Sequence, residues 1–285
     1  MMKKRLARYG FLFLLPGLTG FLGFVLVPVC ITVSWAAVDR SGGFVLFSNM
    51  AGLFGSEAFL CALENTGLYL AAGSGLSILC ALAFASLLFR VIHVFPRAVA
   101  AVRSLYLTPL AVPSGVCVLF AHMLFASGGP IGQWSGSEVD FLRTAPYTFW
   151  VLVLIYIYKN TGYFTVIFLL AFAGIRREIY EAARCEGAGG FVLLRYVVFP
   201  QITPSFFFVF IMSIVNVFKM SRESWLLFGD YPNTSAYMFQ NFIKNNLDNS
   251  NYGRAATASL FLLAVFSILV SLMIRLSERG DFSDE

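Results

Sequence analysis

Residues 66–89 read T-G-L-Y-L-A-A-G-S-G-L-S-I-L-C-A-L-A-F-A-S-L-L-F, twenty-four positions without a charged side chain. At 1.5 Å per residue, a helix of that length rises about 36 Å, enough to cross a hydrocarbon core of about 30 Å. Working outward, further charge-free runs occupy Phe11–Val38, Ser104–Phe125, Tyr196–Phe218 and Ala255–Ile274, and Tyr147–Ala173 is interrupted only by Lys159. The expected fold is an all-α membrane protein with six transmembrane helices, at about 11–38, 66–89, 104–125, 147–173, 196–218 and 255–274. Pro16, Pro28, Pro109 and Pro113 are expected to bend or delimit the first and third. With no domain-length soluble stretch and no internal repeat, residues 1–285 read as a single transmembrane domain.

Composition agrees. The 285 residues are 59% hydrophobic and only 12% charged, about half the charged share that a water-soluble surface carries. Thirty-one Phe, 12 Tyr and 4 Trp add aromatic bulk that would aggregate in water. Fibrous, disordered and disulfide-framework classes are excluded, because neither low-complexity runs nor closely spaced cysteines occur. Cys30, Cys61, Cys80, Cys117 and Cys185 form no C-x-x-C pair, and His93 and His122 are solitary, so no metal site is expected. The net charge of +5 is spread over short segments between apolar runs, which fits membrane topology and not nucleic-acid binding.

The opening M-M-K-K-R-L-A-R-Y-G has the charge of a secretory signal, but the apolar run behind it is about twice the length of a signal core, which favours a retained first helix. Lys3, Lys4, Arg5, Arg8, Arg90, Arg97, Arg103, Arg176, Arg177, Arg184, Arg195, Arg275 and Arg279 fall in one set of alternate segments. The other set holds only Arg40, Arg143, Lys219, Arg222, Lys244 and Arg254. Positive-inside therefore puts both termini in the cytoplasm. The largest external segment is then Ser221–Gly253, rich in Asn and Tyr and too polar to enter lipid, a surface suited to a soluble partner.

The largest cytoplasmic segment, about 174–195, continues into G-I-R-R-E-I-Y-E-A-A-R-C-E-G-A-G-G-F-V-L-L-R-Y-V-V-F-P-Q-I-T-P over Gly174–Pro204. A helix drawn from Ile175 sets Ile175, Ile179, Ala182 and Ala183 on one face, with Arg176, Arg177, Glu181 and Arg184 elsewhere. Gly187, Gly189 and Gly190 then turn the chain. On these residues alone the segment is either a docking surface or an amphipathic connector lying on lipid headgroups.

Glu181-Ala182-Ala183, three residues, Gly187, nine residues, then Val197-Val198-Phe199-Pro200 resembles the EAA loop of the membrane subunits of binding-protein-dependent ABC importers, E-A-A-x3-G-x9-I-x-L-P. It departs only by Val for Ile and Phe for Leu. Glu178-Ile179-Tyr180 and Gly187-Ala188-Gly189 are similar to the carbohydrate branch, although Cys185-Glu186 stands where Ile-Asp is usual and Arg176 or Arg177 where Pro often sits. Phe13-Leu14-Leu15-Pro16-Gly17, Val27-Pro28, Asn65-Thr66, Arg103, Pro109, Pro113-Ser114 and Gly129-Pro130-Ile131 resemble further positions of the maltose-type first permease subunit.

The resemblance implies an ABC type I importer transmembrane domain in a bacterial cytoplasmic (inner) membrane. It also implies a second permease subunit, two ABC ATPase subunits and an extracytoplasmic solute-binding protein as partners, besides membrane lipid and without nucleic acid. No G-x-x-x-x-G-K-[ST] occurs, so this chain binds no cofactor itself, is not an enzyme, and leaves ATP and Mg to the partner ATPase. The loop would carry ATPase closure to the membrane helices, with Glu181 pairing with a basic residue of the ATPase, Ala182 and Ala183 permitting close packing, Gly187 making the turn and Pro200 closing the pattern. Polar groups within the spans, Lys159, Asn160 and Tyr163 in the fourth and Asn216 with Lys219 in the fifth, are candidates for the substrate path, with Thr161 beside them. The solute expected is a sugar or oligosaccharide. An importer for a peptide, amino acid or phosphate shares the loop, whereas a gradient-driven transporter would keep carboxylates in its spans, and every Asp and Glu lies outside these six runs.

Overall fold

The computed structural model describes residues 13–38, 43–92, 96–136 and 139–281. Lys3, Lys4, Arg5, Arg8, Arg40 and His93, invoked above, lie outside them. Those described residues are nearly all helical, with an isolated antiparallel bridge between Val38 and Phe44. Among the described residues, six helical stretches are long and apolar enough to cross a membrane: Phe13–Ala37, Glu57–Val91, Ser114–Trp134, Ala145–Gly174, Gly190–Phe228 and Tyr252–Arg275.

The chain divides into two compact units, residues 1–59 with 242–267, and residues 60–241 with 268–285. In the first, α1 (Leu46–Phe54) leads to Phe59, whose buried ring meets Phe54, Phe242 and Phe261 edge-on at 5.5–5.7 Å. Edge-to-face contacts of this kind add to the area that each ring removes from water or lipid.

The second unit is built around α2 (Ala145–Gly174). This helix is apolar all round, and 61% of its most apolar window is buried, as expected of a central helix. Its neighbours are α3 (Gly75–Ile92), α4 (Pro96–Ala111) and α5 (Phe199–Lys219). The approach of α4 is close: a Cβ at Gly162 would overlap the carbonyl oxygen of Tyr106. Only glycine lets the two backbones meet at that point.

Two expectations are adjusted. The apolar run 104–125 is cut into α4 and α6 (Ser114–Phe125), because Pro113 is extended at ψ 141° and Val112 before it is kept out of the helical region by the proline ring. The fifth helix does not stop near 218. After Lys219 the chain passes through Met220 into α7 (Ser221–Phe228), so part of the supposed external loop extends the span. The remainder is ordered too. Asn65 Nδ2 donates to the Tyr237 carbonyl at 2.9 Å, the Tyr69 hydroxyl to the Ser235 carbonyl at 2.8 Å, and Asn233 Nδ2 to Thr148 Oγ1 at 2.8 Å. The part-buried carbonyls of Ser235 and Tyr237 thereby gain donors.

Candidate functional site

The segment between the fourth and fifth spans forms α8 (Arg177–Cys185), which starts directly after the extended residues Ile175 and Arg176. Glu178 in its first turn and Arg184 in its last complement the helix dipole, and Arg177 Nε meets Glu181 Oε1 at 3.0 Å one turn on. Its end is fixed by hydrogen bonds from Ala188 N to Ala183 O at 2.9 Å and from Gly187 N to Arg184 O at 3.0 Å. Gly187 lies at φ +81° with open space where a Cβ would stand. This is a glycine-capped helix terminus in which the glycine supplies a left-handed residue.

Ile175 is buried, and Ile179 and Tyr180 pack against the same apolar cluster of Phe172, Val198 and Ile202. The Tyr180 hydroxyl donates to the Phe172 carbonyl at 3.3 Å and its ring lies 5.6 Å from that of Phe89. Partial burial pushes that hydroxyl's pKa up. Ala183 is buried with them, whereas Glu181, Ala182, Arg184 and Cys185 are exposed. The single face expected for Ile175, Ile179, Ala182 and Ala183 is thus split, since consecutive positions stand about 100° apart on a helix of 3.6 residues per turn. Ala183 anchors α8 to its own chain and Ala182 faces outward beside Glu181. Pro200 sits in the first turn of α5, directly after a π-type turn at Leu194–Val198. Having no N–H, Pro200 cannot serve the carbonyl of Tyr196 four residues back.

The polar residues of the fourth and fifth spans converge on a cavity of about 210 Å³ lined by Leu110, Ile155, Tyr156, Lys159, Asn160, Asn216, Lys219, Met220 and Glu223. Lys159, Asn160, Asn216 and Lys219 therefore come together, while Tyr163, one turn further along α2, does not line it. Asn216 Nδ2 donates to Asn160 Oδ1 at 2.8 Å, and Asn160 Nδ2 to the Tyr156 carbonyl at 2.9 Å. The Tyr156 hydroxyl donates to the Ser213 carbonyl at 2.9 Å.

Glu223 and Ser114 enter this site without having been picked out for it in the sequence. Lys159 Nζ stands 2.6 Å from Glu223 Oε1 and 2.7 Å from Ser114 Oγ, and Ser114 Oγ donates to the same carboxylate oxygen at 2.7 Å. The Glu223 side chain is only 6% exposed. Two signals existed. A lysine inside an apolar run calls for a partner, commonly a carboxylate, and Glu223 follows Asn216 by seven residues in sequence. It lies five residues beyond Phe218, where the charge-free run ends, and so outside the apolar stretch read from the sequence. With Glu57, Glu64 and Glu223 now inside candidate spans, acid-free helices no longer argue against a gradient-driven transporter.

Comparison with known proteins supplies that argument. The profile of the family described as binding-protein-dependent transport system inner membrane component matches residues 73–280. The trehalose/maltose transport system permease protein MalF of Thermococcus litoralis is 25% identical over 96% of this chain and 95% of its own. The polygalacturonan/rhamnogalacturonan permease YteP of Bacillus subtilis is 24% identical over 95% and 88%, and the arabinooligosaccharide permease AraP of Halalkalibacterium halodurans 27% over 79% and 74%. A chain of a solved bacterial ABC transporter for import of the acidic polysaccharide alginate superposes with a TM-score of 0.78 at 23% identity, covering 98% of each chain, a likeness of fold.

Proposed function

The chain belongs to the family of binding-protein-dependent inner-membrane transport components and is a permease subunit of an ABC importer, and from that premise we propose that it moves a sugar or oligosaccharide and takes its power stroke through α8. The sugar assignment draws on the relatives, whose names specify trehalose and maltose, pectic polysaccharides and arabinooligosaccharides. In this reading a second permease, two ATPase subunits and an extracytoplasmic solute-binding protein complete the importer. ATP and Mg are handled by the ATPases, and both termini of this chain are cytoplasmic.

The observation that carries the coupling role is the form of α8: an amphipathic helix whose inner side, Ile179, Tyr180 and Ala183, is packed onto its own bundle while Glu181 and Ala182 are left outward. A helix so anchored moves as one body with α2 and α5. A push from an ATPase on its outer side is passed to the helices that line the polar cavity. ATP can bias the inward and outward states only by the difference in its affinity for them. Glu181 needs to leave its exposed pair with Arg177 to meet a basic residue of the ATPase, which costs little because such pairs contribute well under about 1 kcal/mol.

The test is Gly187→Leu and Glu181→Ala in the assembled importer. A side chain at φ +81° costs about 1–2 kcal/mol and loosens the terminus of α8. Gly187→Leu is expected to abolish uptake while insertion and expression survive, and Glu181→Ala to reduce recovery of the ATPase on co-purification, more so in high salt. Normal uptake with normal ATPase recovery in both variants would mean that α8 is a connector resting on lipid headgroups.

A further inference from the structure

The cavity between α2, α5 and α7 holds two ammonium groups for one carboxylate. Lys159 is neutralised by Glu223 at 2.6 Å. Lys219 lines the same cavity, is exposed, and has no acidic partner among the described residues. Its placement at the last residue of α5, beside the helix's terminal carbonyls, suits a cation. The carboxylate nearest in sequence, Glu223, is engaged by Lys159 and Ser114. The cavity wall therefore carries one positive charge in excess, next to the Asn160–Asn216 amide pair. Even where solvent reaches it, an uncompensated cation on a cavity wall favours an anion over a neutral analogue of the same shape.

We propose that the transported solute is an acidic saccharide bearing a carboxylate, a uronate, and that Lys219 receives that carboxylate while the Asn160 and Asn216 amides meet ring hydroxyls. This deepens the sugar assignment above and rests on it. One ammonium balances the single charge of a carboxylate, whereas a sugar phosphate carries about −1.5 to −2 at neutral pH and would remain under-neutralised. At about 30 Å³ per water, a volume of 210 Å³ corresponds to roughly seven waters, the scale of one sugar ring and not of a whole chain. The locked Lys159–Glu223 pair has a second consequence: it keeps Glu223 from neutralising Lys219, although the two stand four residues apart on consecutive helices.

The experiment uses the importer assembled with its second permease and ATPases in lipid nanodiscs, without the binding protein, so that selection by that protein does not enter. Equilibrium binding is measured for radiolabelled galacturonate, for its carboxyl-reduced neutral counterpart galactose, for galactose 6-phosphate and for a dipeptide. The expected result is at least a tenfold preference for galacturonate over both the neutral and the phosphorylated sugar. Lys219→Gln should lower the acid-to-neutral ratio about tenfold, and Lys219→Arg should retain it. A wild-type ratio near one, a ratio unmoved by Lys219→Gln, a preference for the phosphate, or no binding of galacturonate overturns the proposal. Binding of the neutral sugar in any of those cases leaves the sugar assignment standing, whereas binding of the dipeptide alone removes both.

Discussion

Replacing Lys159 by Met removes the cation that, among the described residues, neutralises Glu223, whose side chain is 6% exposed. At 2.6 Å and an effective dielectric of about 20, the attraction in the pair is about 6 kcal/mol, offset by a desolvation cost of several kcal/mol for each ion. The intact pair thus contributes a net stabilisation close to that of two well-packed apolar side chains, and the large effect appears only when one partner is left. Lys159→Met should cost about 3–5 kcal/mol, or a fall in Tm of roughly 10 °C for a domain of this size. Glu223→Leu should cost less, toward about 3 kcal/mol, because the orphaned Lys159 is 23% exposed and can turn toward the cavity. The double variant Lys159→Met with Glu223→Leu should lie within about 1.5 kcal/mol of the parent. The assay is thermal unfolding of the purified protein in detergent, arranged as a double-mutant cycle. Additive losses in the double variant, or single variants that unfold with the parent, would refute the claim that this pair is buried and coupled.

Two further predictions use the same protein. Gly162→Ala puts a methyl group onto the Tyr106 carbonyl and forces α4 away from α2, so folded yield should drop sharply; Gly75→Ala, where a Cβ meets nothing within 4 Å, is the control, and equal yields for both would contradict the close approach. The asymmetry of basic residues predicts that a single cysteine replacing Tyr231, which is 71% exposed, reacts with an impermeant maleimide on intact cells, whereas one replacing Arg184 reacts only after permeabilisation, in a background whose native cysteines are removed; labelling of Arg184→Cys from outside would invert the topology.

The membrane class, the six spans and the loop between the fourth and fifth were legible in the chain itself, because each rests on local or near-local facts. A helix in lipid satisfies its own backbone, so about twenty apolar residues suffice to declare it, and Glu181-Ala182-Ala183 to Pro200 is one contiguous pattern. Gly187 is the same case: its positive φ belongs to a helix terminus, and a terminus is written in the residues that make it.

What periodicity did not give is which partner each polar residue meets across the bundle. Lys159 reads as a lone cation in an apolar run, and only the packing of α6, α2 and α7 brings Ser114, Lys159 and Glu223 to one point across separations of 45 and 64 residues. The outward turn of Ala182 and the inward turn of Ala183 were likewise decided by tertiary contact, since both are small and apolar and differ only in whether Ile179, Tyr180 and the cluster around Phe172 lie beneath them. Apolar length is a property of a segment, whereas charge compensation inside a membrane is a property of a cavity, and the cavity exists only once the helices have packed.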